Sequence, residues 1–103
     1  MTRLIYASDL HGNRQLYKIL LDKSVEEVHK ASLSGLKKLE MTIKQDEATL
    51  HSAHITAEDK EKQKISISID ALTEKASKIQ VRFGVFGDQE KSQMVLNAIL
   101  KKL

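Results

Sequence analysis

The chain of 103 residues contains no cysteine, no proline and no tryptophan. Without cysteine it can form neither a disulfide framework nor a thiolate metal site, and it has no cysteine nucleophile. Aromatic residues make up only 4% of the sequence, which argues against a surface that stacks carbohydrates or single-stranded nucleic acid. These absences exclude several chemistries and leave the cellular compartment open.

Long runs of one kind of residue are also missing. No apolar run approaches the roughly 20 residues that span a bilayer, and the N-terminus lacks the basic start and long apolar stretch of a signal peptide. The net charge of +3 is spread along the chain without an arginine-rich stripe, so we expect no nucleic-acid binding. As given, the sequence predicts a cytoplasmic protein with no membrane-spanning segment.

The composition that remains is that of a folded domain. Hydrophobic residues make up 41% of the chain and charged residues 30%, which are ordinary values for a globular protein. The length is that of one domain with a single modest core.

A clear helix start lies at Ser24. Ser24 and Glu27 have the S-x-x-E spacing of a capping box, in which the two side chains satisfy each other's backbone amides, so the helix begins at Val25. Apolar residues then recur at helical spacing to about Glu40. These residues are Val28, Leu33, Leu36 and Leu39. Gly35 weakens this helix slightly, or allows another element to approach closely.

The segment before this helix is less certain. Residues 4–7 predict a short strand, and residues 9–13 predict a polar turn. Residues 16–21 fit either a helix or an alternating strand. Because a new helix begins at Val25, a strand is the more economical interpretation.

After the first helix the hydrophobic period changes to two. Met41 and Ile43 begin a strand that we expect to continue, across a turn at residues 45–47, into residues 49–56. Residues 65–70 alternate isoleucine with serine or aspartate, which is typical of a strand with one buried face. The charged residues 58–63 predict a solvated hairpin loop.

The last part of the chain predicts a strand followed by a helix. The alternation returns over residues 79–85, after a turn at residues 74–77. Gly87 and Asp88 then end the strand, and Asp88 is expected to cap the final helix. The residues expected to face inward from that helix are Met94, Val95, Ala98, Ile99 and Leu103.

These elements predict an α+β fold with two layers, an antiparallel sheet with two helices on one face, in the order (β)βαβββα. Each strand offers one hydrophobic side and each helix one stripe, so a single apolar interface satisfies both. We expect residues 1–13 to form a leader or an extra strand and turn. Residues 14–103 are expected to form a single α+β domain.

The sequence "YASDLHGN" at residues 6–13 carries a D-x-H element behind an apolar run. It resembles the opening of calcineurin-like metallophosphoesterases, and that resemblance implies that Asp9 and His11 are ligands of a divalent transition metal. The other metal-binding elements of that family are not present in full, since Lys91 stands where the second Asp of G-D-x-x-D would follow Gly87 and Asp88. The alternative is that Asp9 only forms a turn.

A second resemblance covers residues 16 to the end. Its motifs are "VEEVHKASLSGLKKLEM", "KISISIDAL" and "KIQVRFGVFGDQEKSQMVLNAILKKL". The chain is similar to small bacterial proteins grouped as the domain-of-unknown-function family 3568, which are often exported lipoproteins. That resemblance carries no catalytic assignment, and it makes the cell envelope the alternative location if the native gene has an export signal.

The remaining histidines are expected to be structural. His51 and His54 are three residues apart, which places them on opposite faces of a strand rather than together as metal ligands. His29 lies near the polar flank of the first helix, where a solvated or partly buried role is expected.

The sequence therefore predicts a non-catalytic α+β module without a cofactor. Its open sheet face or an edge strand would bind an unknown protein partner or a second copy, or the domain would be purely structural. Four residues are expected on that face: Ser66, Ser68, Gln80 and Arg82. The alternative is a metal-dependent phosphoesterase, as a fragment or completed by a partner chain, that uses Asp9 and His11.

Overall fold

A computed structural model describes residues 4–11, 14–84 and 89–103, and for residues 4–11, 14–18 and 89 it describes the backbone alone. The elements in chain order are β1 (Leu4–His11), β2 (Arg14–Leu21), α1 (Val25–Lys38), β3 (Thr42–Ala48), β4 (Ser52–Glu58), β5 (Lys64–Thr73), β6 (Ala76–Phe83) and α2 (Gln89–Leu100). In this part of the chain the strands form one antiparallel sheet of six, in the order β1-β2-β6-β5-β4-β3.

The alternating residues of the central strands build one buried face. In register, Ile67 of β5 lies between Ile55 of β4 and Val81 of β6, and all three side chains are fully buried. The same alternation buries Ile65, Ile69, Ile79 and Phe83. Because period two places every second side chain on the same side, this face offers a continuous aliphatic surface. The predicted α+β fold is confirmed.

Both helices cover this face. α1 contacts β3, β4, β5 and β6, while α2 contacts β6 and β2, and the two helices contact each other. They pack tightly at Gly35, where an added Cβ would lie 3.1 Å from the backbone nitrogen of Ile99. Gly35 therefore serves the close packing that the sequence suggested.

The predicted capping box begins α1 as expected. The hydroxyl of Ser24 accepts a hydrogen bond from the backbone N–H of Glu27 at 3.2 Å. The carboxylate of Glu27 accepts one from the backbone N–H of Ser24 at 3.3 Å. Two amides that a helix N-terminus would leave without partners are thus satisfied within the first turn.

The predicted turn at residues 45–47 is wrong. β3 continues through Ala48, and the chain turns at residues 49–51, so four strands rather than three lie between the helices. The polar residues of β3 are tolerated because β3 is an edge strand, where charged side chains protect the exposed hydrogen-bonding groups. A bulge at Lys44, between Ile43 and Gln45, also breaks the period-two pattern that the prediction used.

The N-terminal strand is longer than predicted. β1 extends through His11, because Asp9 pairs with Leu16 and His11 pairs with Arg14 in the hairpin register. The rest of the predicted turn, residues 12–13, lies outside the described residues. β1 contacts β2 alone among the described elements. The division of the chain at residue 13 stays a prediction.

One inward residue of α2 was predicted wrongly. Met94 is 44% exposed, whereas Val95, Leu96 and Ile99 are fully buried. Ser92 shares the i, i+3, i+4 and i+7 stripe with these three, and Met94 lies outside that stripe. Ala98 and Leu103 are half-buried. The predicted helix cap at Asp88 and the end of the strand at residue 85 lie outside the described residues.

Candidate functional site

The predicted metal ligands Asp9 and His11 both lie in β1, at the edge of the sheet. The structure describes their backbone but not their side chains, so the metal site stays a prediction. Among the residues whose side chains are described, no group of three or more histidine, aspartate or glutamate side chains could hold a metal ion.

The other histidines lie in three different settings. His29 of α1 contacts Asp46 of β3, with 2.6 Å between Nε2 and Oδ1. His54 of β4 lies 3.1 Å from the hydroxyl of Ser68, measured from Nδ1 to Oγ. His51 lies in the turn between β3 and β4. The prediction that both histidines lie in one strand is wrong for His51, and His51 and His54 line different depressions.

On the sheet face away from the helices, strands β4, β5 and β6 carry a polar row. In register, Ser66 lies opposite Arg82 and Ser68 lies opposite Gln80, and all four side chains are half-buried. The imidazole of His54 extends this polar row. This row of hydroxyls, an amide and charged groups includes none of the aromatic or aliphatic anchors that dominate protein interfaces. It is therefore a weaker candidate for docking than the sequence suggested.

A cleft of about 910 Å³ opens at the end of the sheet where α1 begins. Its walls are the first turns of α1 with His29, the β3–β4 turn at residues 48–51, and residues 71–74 at the end of β5. Leu50 and Leu72 line it and are 89% and 52% exposed, respectively. We call this site the leucine cleft.

Leu50 is exposed because the turn around it is fixed by its neighbours. The hydroxyl of Thr49 accepts hydrogen bonds from the backbone N–H groups of His51 and Ser52, at 3.2 and 3.1 Å. The backbone N–H of Thr49 donates to the carbonyl of Ser52 at 2.7 Å. These bonds close the turn through Thr49 and Ser52, and Leu50 is left at its tip.

Leu72 is exposed because of a β-bulge. Ala71 pairs with Ser77 and Thr73 pairs with Ala76, so Leu72 is the extra residue on β5. A bulge re-aims the side chain of the unpaired residue, and here that residue is a leucine that lines the cleft. The backbone N–H of Ala71 donates to the carbonyl of His51 at 2.8 Å, which holds the two walls side by side.

The α1 side of the cleft is acidic. Glu26 and Glu27 lie in the first turn of α1, and the capping box uses the amides of Ser24 and Glu27 internally. Hydrogen bonds from the backbone N–H and the hydroxyl of Ser24 lower the pKa of Glu27, which keeps its carboxylate ionised. The helix dipole alone would favour an anion at this N-terminus, but the capping box already uses two of its amides and Glu26 and Glu27 place negative charge beside them.

A basic depression of about 610 Å³ lies at the opposite end of the strands. Lys62, Lys64 and Arg82 line it together with Gly84, whose φ is +79°. No carboxylate is among the described residues of this lining. The described linings of the two depressions therefore differ in charge.

The sequence reasoning missed Leu50, Leu72 and the contact between His29 and Asp46. A signal for the bulge was present, because Ala71 and Leu72 are consecutive apolar residues that interrupt the alternation of β5. Leu50 could be recognised only once the turn was placed at residues 49–51.

No helix in the described part of the chain is long and apolar enough to cross a membrane. A comparison with curated proteins found no match for the chain. The family model described as "Protein of unknown function (DUF3568)" matches residues 13–102, which include every element except β1. This agrees with the resemblance drawn from the helix, strand and tail motifs, and the chain belongs to the DUF3568 family.

Proposed function

We propose that this domain is a non-catalytic binding module that holds an apolar segment of a partner polypeptide in the leucine cleft. The observation that carries the proposal is the exposure of Leu50 and Leu72 on the walls of one cleft. Singly exposed apolar side chains are common, but two leucines that line one cleft can be buried together by one ligand, which is favourable.

The size and rigidity of the cleft support the same function. A volume of about 910 Å³ falls within the range of ligand-binding clefts. The two leucines stand on a hydrogen-bonded turn and on a bulge, so their positions are set before a partner binds. A preorganised site loses less conformational entropy on binding than a flexible one.

The proposal is tested by selecting peptides from a displayed random library on the immobilised protein. We expect selected peptides to bind the double variant Leu50→Ser, Leu72→Ser at least about tenfold more weakly than wild type, since two apolar anchors are lost. Met94→Ser is the matched control, because Met94 is exposed on α2 and lies outside the cleft. Peptides that bind the double variant and wild type equally, or a selection without enrichment, contradict the proposal.

The alternative function, a phosphoesterase that uses Asp9 and His11, is tested separately. We expect no hydrolysis of a chromogenic phosphate ester with added Mn²⁺. Turnover that disappears in Asp9→Asn would establish the alternative and overturn the non-catalytic proposal.

A further inference from the structure

Apart from two histidines, His29 and His51, the ionisable residues in the described lining of the leucine cleft are all acidic. It contains Glu26 and Glu74, and it includes no lysine or arginine. A neighbouring depression that shares residues 48–49 with the cleft adds Glu47 and Asp70, again without lysine or arginine. The whole chain has 17 lysine and arginine residues and a net charge of +3, so the linings of these two depressions depart from the average charge of the molecule.

The two carboxylates of the cleft itself, Glu26 and Glu74, differ in whether a basic side chain pairs with them. Glu26 forms an exposed ion pair with Lys30 at 3.4 Å, which solvent screens strongly. Glu74 forms no ion pair within the part of the chain that the structure describes. Because the apolar walls at Leu50 and Leu72 lie beside these groups, a ligand that covers the leucines also comes close to carboxylates.

The polar groups on the α1 side leave little for an anionic ligand. The capping box occupies the backbone amides of Ser24 and Glu27, and the side chains that follow Val25 in the first turn are acidic. An anion in the cleft would meet like charge, which disfavours binding, whereas a cation beside the apolar contact is attracted.

We infer that the partner segment proposed for the leucine cleft is cationic and amphipathic, with aliphatic side chains against Leu50 and Leu72 and flanking lysine or arginine side chains beside Glu26 and Glu74. This inference rests on the proposed function and adds the charge of the ligand to it. The apolar contact supplies affinity, and the rim carboxylates select among apolar segments by their charge.

Three short fluorescein-labelled peptides with identical leucines test the inference. They differ only in flanking residues, which are lysine, glutamine or glutamate. We expect wild type to bind the lysine peptide about three- to tenfold more tightly than the glutamine peptide, since two rim charge pairs each contribute a small amount. The glutamate peptide is expected to bind most weakly, and added salt should reduce the differences.

Variants separate this inference from the proposed function. Glu26→Gln with Glu74→Gln should bring the three affinities together, whereas Glu61→Gln with Glu90→Gln, which changes the net charge equally outside the cleft, should preserve their order. Equal affinity of wild type for all three peptides, combined with weaker binding of all three by Leu50→Ser, Leu72→Ser, overturns the cationic preference and leaves the binding function intact.

Other outcomes overturn the function itself. If none of the peptides binds, or if the serine double variant binds them as wild type does, the leucine cleft is not the binding site. Sedimentation equilibrium tests a second copy as the occupant. A dimer of wild type that dissociates in Leu50→Ser, Leu72→Ser would replace the partner segment with self-association.

Discussion

His29 of α1 and Asp46 of β3 are joined by a short contact of 2.6 Å between Nε2 and Oδ1. Asp46 lies opposite the fully buried Ile55 in the register of the sheet, so it occupies the helix-covered side of the edge strand. The side chains of His29 and Asp46 are 18% and 35% exposed. An inward-pointing charge on an edge strand protects that edge from pairing with other chains. The imidazole of His29 gives the carboxylate of Asp46 its hydrogen-bond partner.

A double-mutant cycle of His29→Ala and Asp46→Ala measures this contact. We expect a coupling of about 0.5 to 1.5 kcal/mol in the free energy of unfolding, because the pair is partly shielded from water. The exposed pair Glu26 and Lys30 is the control, with an expected coupling of about 0.3 to 0.5 kcal/mol. Equal couplings in urea melts would mean that the contact between α1 and β3 adds nothing beyond a surface pair.

The capping box makes stability depend on pH through Glu27. Hydrogen bonds from Ser24 lower the pKa of Glu27 in the folded state below its ordinary value of 4.5. A lowered folded-state pKa means that the stabilisation is present above the unfolded-state value and is lost as the pH falls through the folded-state value. The stability difference between wild type and Glu27→Gln should therefore shrink below about pH 4.5.

Denaturant melts of wild type and Glu27→Gln over a range of acidic pH values measure this difference. Glutamine keeps a carbonyl that can accept from the backbone N–H of Ser24, so the variant isolates the charge. A difference that stays constant as the pH falls would contradict the ionised capping box.

Gly35→Ala should destabilise the domain despite the better helix propensity of alanine. The propensity gain is about 1 kcal/mol. An added Cβ would lie 3.1 Å from the nitrogen and 3.2 Å from the Cα of Ile99, both backbone atoms of α2. Overpacking of this kind costs about 1 to 3 kcal/mol, so we expect the free energy of unfolding to fall by up to about 2 kcal/mol in Gly35→Ala. The control is Ser34→Ala, at an exposed position of the same helix, which should be neutral or slightly stabilising. An increase in the free energy of unfolding for Gly35→Ala would show that the two helices can move apart without cost.

Ser92→Ala should lower the free energy of unfolding by about 1 to 3 kcal/mol, because it leaves the buried backbone N–H of Phe83 without a partner. The hydroxyl of Ser92 is fully buried and accepts from the backbone N–H of Phe83 at 3.1 Å. Ser77→Ala is the comparison. Ser77 is equally buried, but its hydroxyl donates to the carbonyl of the half-buried Lys23, and a carbonyl tolerates a missing partner better than a buried N–H does. Thermal or urea melts should rank Ser92→Ala as the more damaging, and the reverse order would contradict this account.

A chain of residues 14–103 should fold without the N-terminal strand. β1 contacts only β2 among the described elements, and the family match begins at residue 13. Dispersed amide signals in the spectrum of the shortened chain would confirm the expectation. An unfolded spectrum would mean that β1 is part of the folding unit.

The amino-acid sequence by itself determined the local elements and the layer arrangement. The capping box at Ser24 and the alternation of residues 65–70 depend only on nearby residues, and they correctly predicted α1 and β5. Strands with one apolar face and helices with one apolar stripe have few ways to bury that surface. The two-layer α+β fold follows from this limit.

The tertiary structure alone decided where the candidate site lies. The turn at residues 49–51 depends on the hydroxyl of Thr49, and the bulge at Leu72 depends on pairing with β6, so the exposure of Leu50 and Leu72 could not be read from periodicity. The helix-covered position of Asp46 likewise follows from its register opposite Ile55 after the bulge at Lys44, and its partner His29 lies 17 residues earlier in the chain. Periodicity reports which side of an element is apolar, whereas a cleft between three segments exists only after those segments have been brought together.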